Sequence, residues 1–266
     1  MYTACINSLG YSVQGLLSGT PLTQLHKEVN IFFRNMSRYN LIRDYLTIIP
    51  VSNAITNLSG EPQHPFWDAA IGYECNEKNL SESFAKNDIF LCETIVTLEI
   101  AEHFIFRRID MAAEFVRQYQ KFFDQDCGMH PKFICIYRMF YSGLVAFNYF
   151  RETKDQYWMN LGTVAIKEME AWAKECKWNF ENKLLLLNAE YHFSIGLFDK
   201  ATEEYHLSIS SAHAHRFFHE EAIGNELAGY FQSERGRKDA SISLTKQAKE
   251  CYLSWGAFRK AEALNA

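Results

Sequence analysis

The run LLLLNAEYHFSIGLFDKATEEYHLSISS (184–211) decides how the chain folds. Ahead of Gly196, Leu185 and Ala189 lie one helical turn apart, and after it Phe198, Ala201, Tyr205 and Ser208 restart the same period. Gly196 punctuates the two, because glycine takes the left-handed backbone of a helix C-terminus without strain. Ala189 on the first helix and Ala201 on the second are small enough to let the helices cross closely. The stretch therefore reads as one antiparallel helix pair.

Forty residues on, the set recurs as Gly229, Gly236, Ser241 and Ala248. A standard tetratricopeptide unit is about 34 residues long, so the second helix or its connection is longer here. A weaker echo at Arg107, Ile109, Ala112 and Val116 lacks the glycine, and position 238 is Lys where such a unit prefers an aromatic. One pair cannot bury its whole apolar face, so such units are stable only when stacked. The expected fold is all-α, a tetratricopeptide-like right-handed superhelix of about five or six antiparallel helix pairs. It forms a single array over 1–266, clearest over 181–253.

Outward from this segment, helical periodicity places helices at 2–18, 21–38, 40–58, 81–105, 108–125, 131–151, 155–176, 181–196, 198–215, 217–235, 237–253 and 256–264. Between Ser59 and Ser81 lies one long irregular stretch, with Pro62, Pro65 and room for a short helix around Asp68–Glu74. It is the best candidate for a break in the array. The 13 glycines and 5 prolines are roughly half the usual share, which suits long uninterrupted helices.

A net charge of −5 argues against a duplex nucleic-acid binder, which usually carries a basic face. Seven cysteines without a CxxC pair fit free thiols in a reducing cytoplasm. The first basic residue is Lys27, so no secretory leader is visible, and no apolar window is long enough to span a membrane. Neither GxxxxGK[ST] nor GxGxxG occurs, which leaves no phosphate-binding loop.

Three groups could carry chemistry. His213, His215 and His219 cluster ahead of Glu220 and Glu221, but HExxH is not formed and no cysteine is near, so no metal or other cofactor is expected. His103 follows Glu99 by one helical turn, the spacing of an acid–base or hydrogen-bonded pair, with no nucleophile nearby. His192 and His206 fall within the repeat, where the rings fill packing positions. The aromatic run FICIYRMFYSGLVAFNYF (133–150) suits a helix covered on both sides; an open aromatic groove is the sharper alternative.

The segments AWAKECKWNFENKLLLLNAEY (171–191) and 196–264 resemble the helical region of very large hybrid sensor kinases. The likeness rests on Trp172, Ala173, Cys176, Asn179, Phe180 and Lys183, on HEEAIGNELAGYF (219–231), and on Tyr252, Trp255, Gly256, Ala257, Lys260 and Leu264. Upstream, SGTPLTQL (18–25), NLSGEPQHPFWDAAI (57–71) and GMHPKFICIYRMFYSGL (128–144) follow in the expected order. In that family a serine/threonine-kinase-like domain and an ATPase module precede the helical region, and a GAF domain and a histidine kinase follow it. The resemblance implies a non-catalytic part of a signalling chain, excised from a longer protein.

The expected function is that of an interaction or regulatory module. It would bind a protein or peptide, including the neighbouring ATPase, GAF and kinase domains, or relay the state of the ATPase to the histidine kinase. Phasing on Ala189 and Gly229 points Lys183, Glu190, Phe193, Glu226 and Tyr230 into a concave groove. The alternatives are a sensor that binds a small molecule or peptide in an aromatic groove, and an all-α enzyme built on the histidine cluster.

Overall fold

A computed structural model describes residues 2–39, 42–62, 89–123 and 132–264. Among the described residues the chain is all-helical, with twelve helices and no strand. They are α1 (Tyr2–Leu17), α2 (Leu22–Arg38), α3 (Ile42–Ser59), α4 (Ile89–Ile105), α5 (Ile109–Phe123), α6 (Lys132–Thr153), α7 (Gln156–Glu175), α8 (Lys177–Ser194), α9 (Phe198–Ala214), α10 (Phe218–Glu234), α11 (Lys238–Trp255) and α12 (Phe258–Ala263). Most boundaries expected from the sequence fall within two residues of these. The short helix expected around Asp68–Glu74 and the helix start expected at 81 lie outside the described residues.

The connections repeat one geometry. Arg108 donates its amide to the His103 carbonyl, Leu197 to His192, Phe217 to Ala212, Arg237 to Gln232 and Ala257 to Tyr252, all at 2.8 to 2.9 Å. The residue before each of these donors is left-handed: Arg107 (φ 59°), Gly196 (80°), Arg216 (61°), Gly236 (71°) and Gly256 (90°). This is the closure that satisfies the orphan carbonyls of a helix end and turns the chain straight back. The turn between α1 and α2 follows suit, with Gly19 at φ 82° and Thr20 bonded to Gly15. The echo at Arg107 is thus a full turn with arginine where glycine is expected.

One boundary differs from expectation. The connection between α7 and α8 is Cys176 alone, and α8 starts at Lys177, not near 181. Phe180 packs on Trp172 across this corner, and the exposed Trp178 ring lies 4.1 Å from the His215 ring, so KWNF is held as helix by contacts with neighbouring pairs.

Consecutive helices pack as hairpins, and the first helix of each pair also touches the first helix of the next: α4 on α6, α6 on α8, α8 on α10. Ala189, Ala201 and Ala248 are fully buried where the sequence pattern puts helix crossings. At Gly143 on α6 a side chain would meet Ala165 and Leu187 at under 3 Å, so α6 can sit this close to both α7 and α8 only with glycine there.

The array also closes on itself. Helix α12 packs on α3, α3 on α4, and α1 reaches α6. The α1–α2 turn is clasped by the last pairs. The His219 ring nitrogen Nε2 lies 3.0 Å from the Leu17 carbonyl, and the Trp255 indole donates to the Thr20 carbonyl at 3.1 Å.

Candidate functional site: the inner wall

From α3 onward, where one first helix meets the next, a buried or largely buried carboxylate meets a polar or cationic partner. Asn57 of α3 donates to both oxygens of Glu102 on α4, at 3.2 and 3.0 Å. Arg138 of α6 pairs with Glu93 of α4 at 3.1 Å, and Arg151 of α6 with Glu190 of α8 at 2.7 Å. Lys183 of α8 pairs with Glu220 of α10, and Lys260 of α12 with Glu226 of α10, both at 2.7 Å. The result is a ladder with one polar rung per junction. Tyrosines on second helices complete two rungs: Tyr205 donates to Glu190, and Tyr252 to Glu226.

Charges this deep persist only when paired and hydrogen-bonded. Lys183 also donates to the Asn179 carbonyl at 2.8 Å and faces the rings of Tyr137, Phe180 and Phe217. Asn182 and His219 flank Glu220. Burial alone would raise the Glu220 carboxyl, but Lys183 and His219 outweigh it and bring it down to about 2. Burial pushes the Tyr205 and Tyr252 hydroxyls well up, and the carboxylates beside them add to it, so both act as donors.

The five residues that register assigns to a groove separate into two sets. Lys183 and Glu190 are 2% and 1% exposed, and the Glu226 side chain is 12% exposed; all three are ladder members and not an open face. Register gives the direction of a side chain but not what covers it, and here neighbouring first helices cover it. Phe193 is half-buried under Arg151, at 4.3 Å, and against Phe231. Tyr230 is 41% exposed at the turn edge, beneath the Arg107 guanidinium at 5.0 Å. The ladder partners Arg138, Arg151 and Lys260 lack a local signature, because each lies 34 to 45 residues from its carboxylate.

The histidine cluster does not converge. His213 is exposed and bonded to Glu221 at 3.0 Å, His215 stacks on Trp178, and His219 is buried at the clasp. A turn separates His215 from His219, so the two do not share a helix face. Among the described residues no group of three ligand-type side chains could hold a metal ion. The thiol of Cys251 is pushed up to about 12 by burial and by Glu221, and burial raises Cys135, so neither is an activated nucleophile. The aromatic run on α6 is core: Phe140, Tyr141 and Phe147 are buried.

No helix among the described residues is long and apolar enough to cross a membrane. Comparisons with protein-family models, with curated proteins and with solved structures give no match.

Proposed function

We propose that this chain is a tetratricopeptide-like, non-catalytic scaffold: an interaction or relay module of a multidomain signalling kinase, working in the cytoplasm beside ATPase, GAF and histidine-kinase domains. The observation that carries the reading is the ladder. Charged side chains that catalysis would need free are bound to one another between successive first helices, which makes a stiff body suited to transmitting a displacement. The likeness of 171–191 and 196–264 to the helical region of hybrid sensor kinases supplies the context.

Partner contact then falls to the turn edge. Ile195, Leu197 and Tyr230 are exposed there, beside the guanidinium groups of Arg107 and Arg235. Tyr230→Ala is expected to weaken binding of the adjacent ATPase or GAF segment while leaving the melting temperature nearly unchanged. The decisive observation is the complete reading frame. An ATPase segment before this region and a GAF domain with a histidine kinase after it are expected; a frame with none of these overturns the kinase reading.

A further inference from the structure

The pair α10 and α11 repeats α8 and α9, and the match extends one helix further. Phe258, where α12 begins, lies forty residues after Phe218, where α10 begins. Each follows the same turn, one with Gly256 and the other with Arg216 in the left-handed position. So α12 stands to α11 as α10 stands to α9. In length they part: α10 has 17 residues and α12 has 6.

Contacts define the face of α9 that receives α10. Tyr205 packs on Phe231, Ile209 lies against Gly224, and His213 meets Glu221. The same forty-residue step carries these three positions to Thr245, Lys249 and Leu253 of α11. All three line an open groove of about 550 Å³, together with Ile242, Lys246 and Leu264. Ile242 is 68% exposed and Leu253 42%, on a face that in the preceding pair lies under a helix. Two lysines, Lys246 and Lys249, border the groove with one carboxylate, Glu250.

We infer that this groove receives one amphipathic helix of a partner protein, its apolar stripe on Ile242, Leu253 and Leu264 and its acidic flank on Lys246 and Lys249. The occupant continues the interface by which α10 covers α9. From Ser241 to Leu253 the groove follows α11 for about 18 Å, three helical turns, which accommodates the i, i+3, i+4 and i+7 anchors of a docked helix. A second copy fits less well. Laying α11 antiparallel on itself so that Ile242 meets Leu253 sets Lys246 against Lys249, and like charges facing each other oppose the contact. The groove shares no residue with the turn edge around Tyr230, so the inference adds a second contact surface and does not depend on the kinase reading.

The test is fluorescence titration of the full chain with a labelled synthetic helix of about 18 residues, with leucine at i, i+3, i+4 and i+7, glutamate on both flanks and alanine elsewhere. Saturable binding is expected. Ile242→Asp and Leu253→Asp should each weaken it about tenfold or more, and Tyr230→Ala should leave it unchanged. A peptide with lysine for every glutamate should bind at least about tenfold more weakly, and Lys246→Glu should narrow that gap. Both apolar side chains are exposed, so their variants keep the fold, which melting curves verify. Absence of saturable binding overturns the inference, as does equal binding of the lysine peptide or of a scrambled one. So does binding that Tyr230→Ala weakens and the groove variants do not. A dimer in sedimentation that Ile242→Asp dissociates overturns it as well, because the occupant is then a second copy.

Discussion

The inner wall and the turn edge belong to the same helix pairs, yet they solve opposite problems. On the wall, charges stripped of water must find partners tens of residues away, as Lys183 finds Glu220 and Arg138 finds Glu93. At the edge, each turn satisfies itself within six residues and stands in solvent. The edge therefore advertises itself in sequence and costs little to alter. The wall is silent in sequence, and the fold depends on it.

The largest contrast is at the wall. Lys183→Met leaves Glu220 buried without its cation and is expected to cost about 3–5 kcal/mol in chemical denaturation. Lys183→Met combined with Glu220→Met should recover most of that loss, because breaking a buried pair is worse than replacing it. Equal destabilisation of the single and double variants would show that the rung stabilises in its own right.

Next comes acid. The Glu220 carboxyl is lowered in the folded chain from an ordinary 4.5 to about 2, so its contribution is complete above pH 4.5 and is lost as pH falls toward about 2. The loss is on the order of 3 kcal/mol. Urea denaturation across that window should show the slope in the native chain and a smaller one in Glu220→Gln.

Gly19 links wall and edge. Its backbone is left-handed like the other turns, but a Cβ there would lie 2.0 Å from His219 Nδ1. Gly19→Ala is expected to cost more than about 2 kcal/mol, from strain and collision together. At Gly196, where nothing lies within 4 Å, the same change should cost only the backbone term, about 1 kcal/mol. The smallest effect belongs to Arg216→Gly. Relief of the left-handed strain is offset by the freer unfolded chain, leaving a change within about 0.5 kcal/mol of zero. Melting temperatures of the three variants rank these effects.

The same division explains what could be read in advance. Helix periods, the Gly196 and Gly236 turns and the buried Ala189, Ala201 and Ala248 crossings are local patterns, and the sequence carries them openly. Arg107 and Arg216 close identical turns without glycine, because the hydrogen bond sets the turn and glycine only makes it easy. Lys183, Glu190 and Glu226 are covered by partners from distant helices, which helical register does not reveal. The junction of α3 with α4 is likewise silent: periodicity pairs Glu99 with His103 but gives no sign of Asn57 beside Glu102.

The clasp has a kinetic meaning. An open repeat array folds from neighbour to neighbour, and its ends fray independently. Here the bonds from His219 to Leu17 and from Trp255 to Thr20 join residues 202 and 235 positions apart. Contacts of such long range must wait for most of the chain to order, which slows folding but ties both termini into one cooperative transition. Hydrogen exchange at the two ends should then report the same opening free energy, as if the array had no ends.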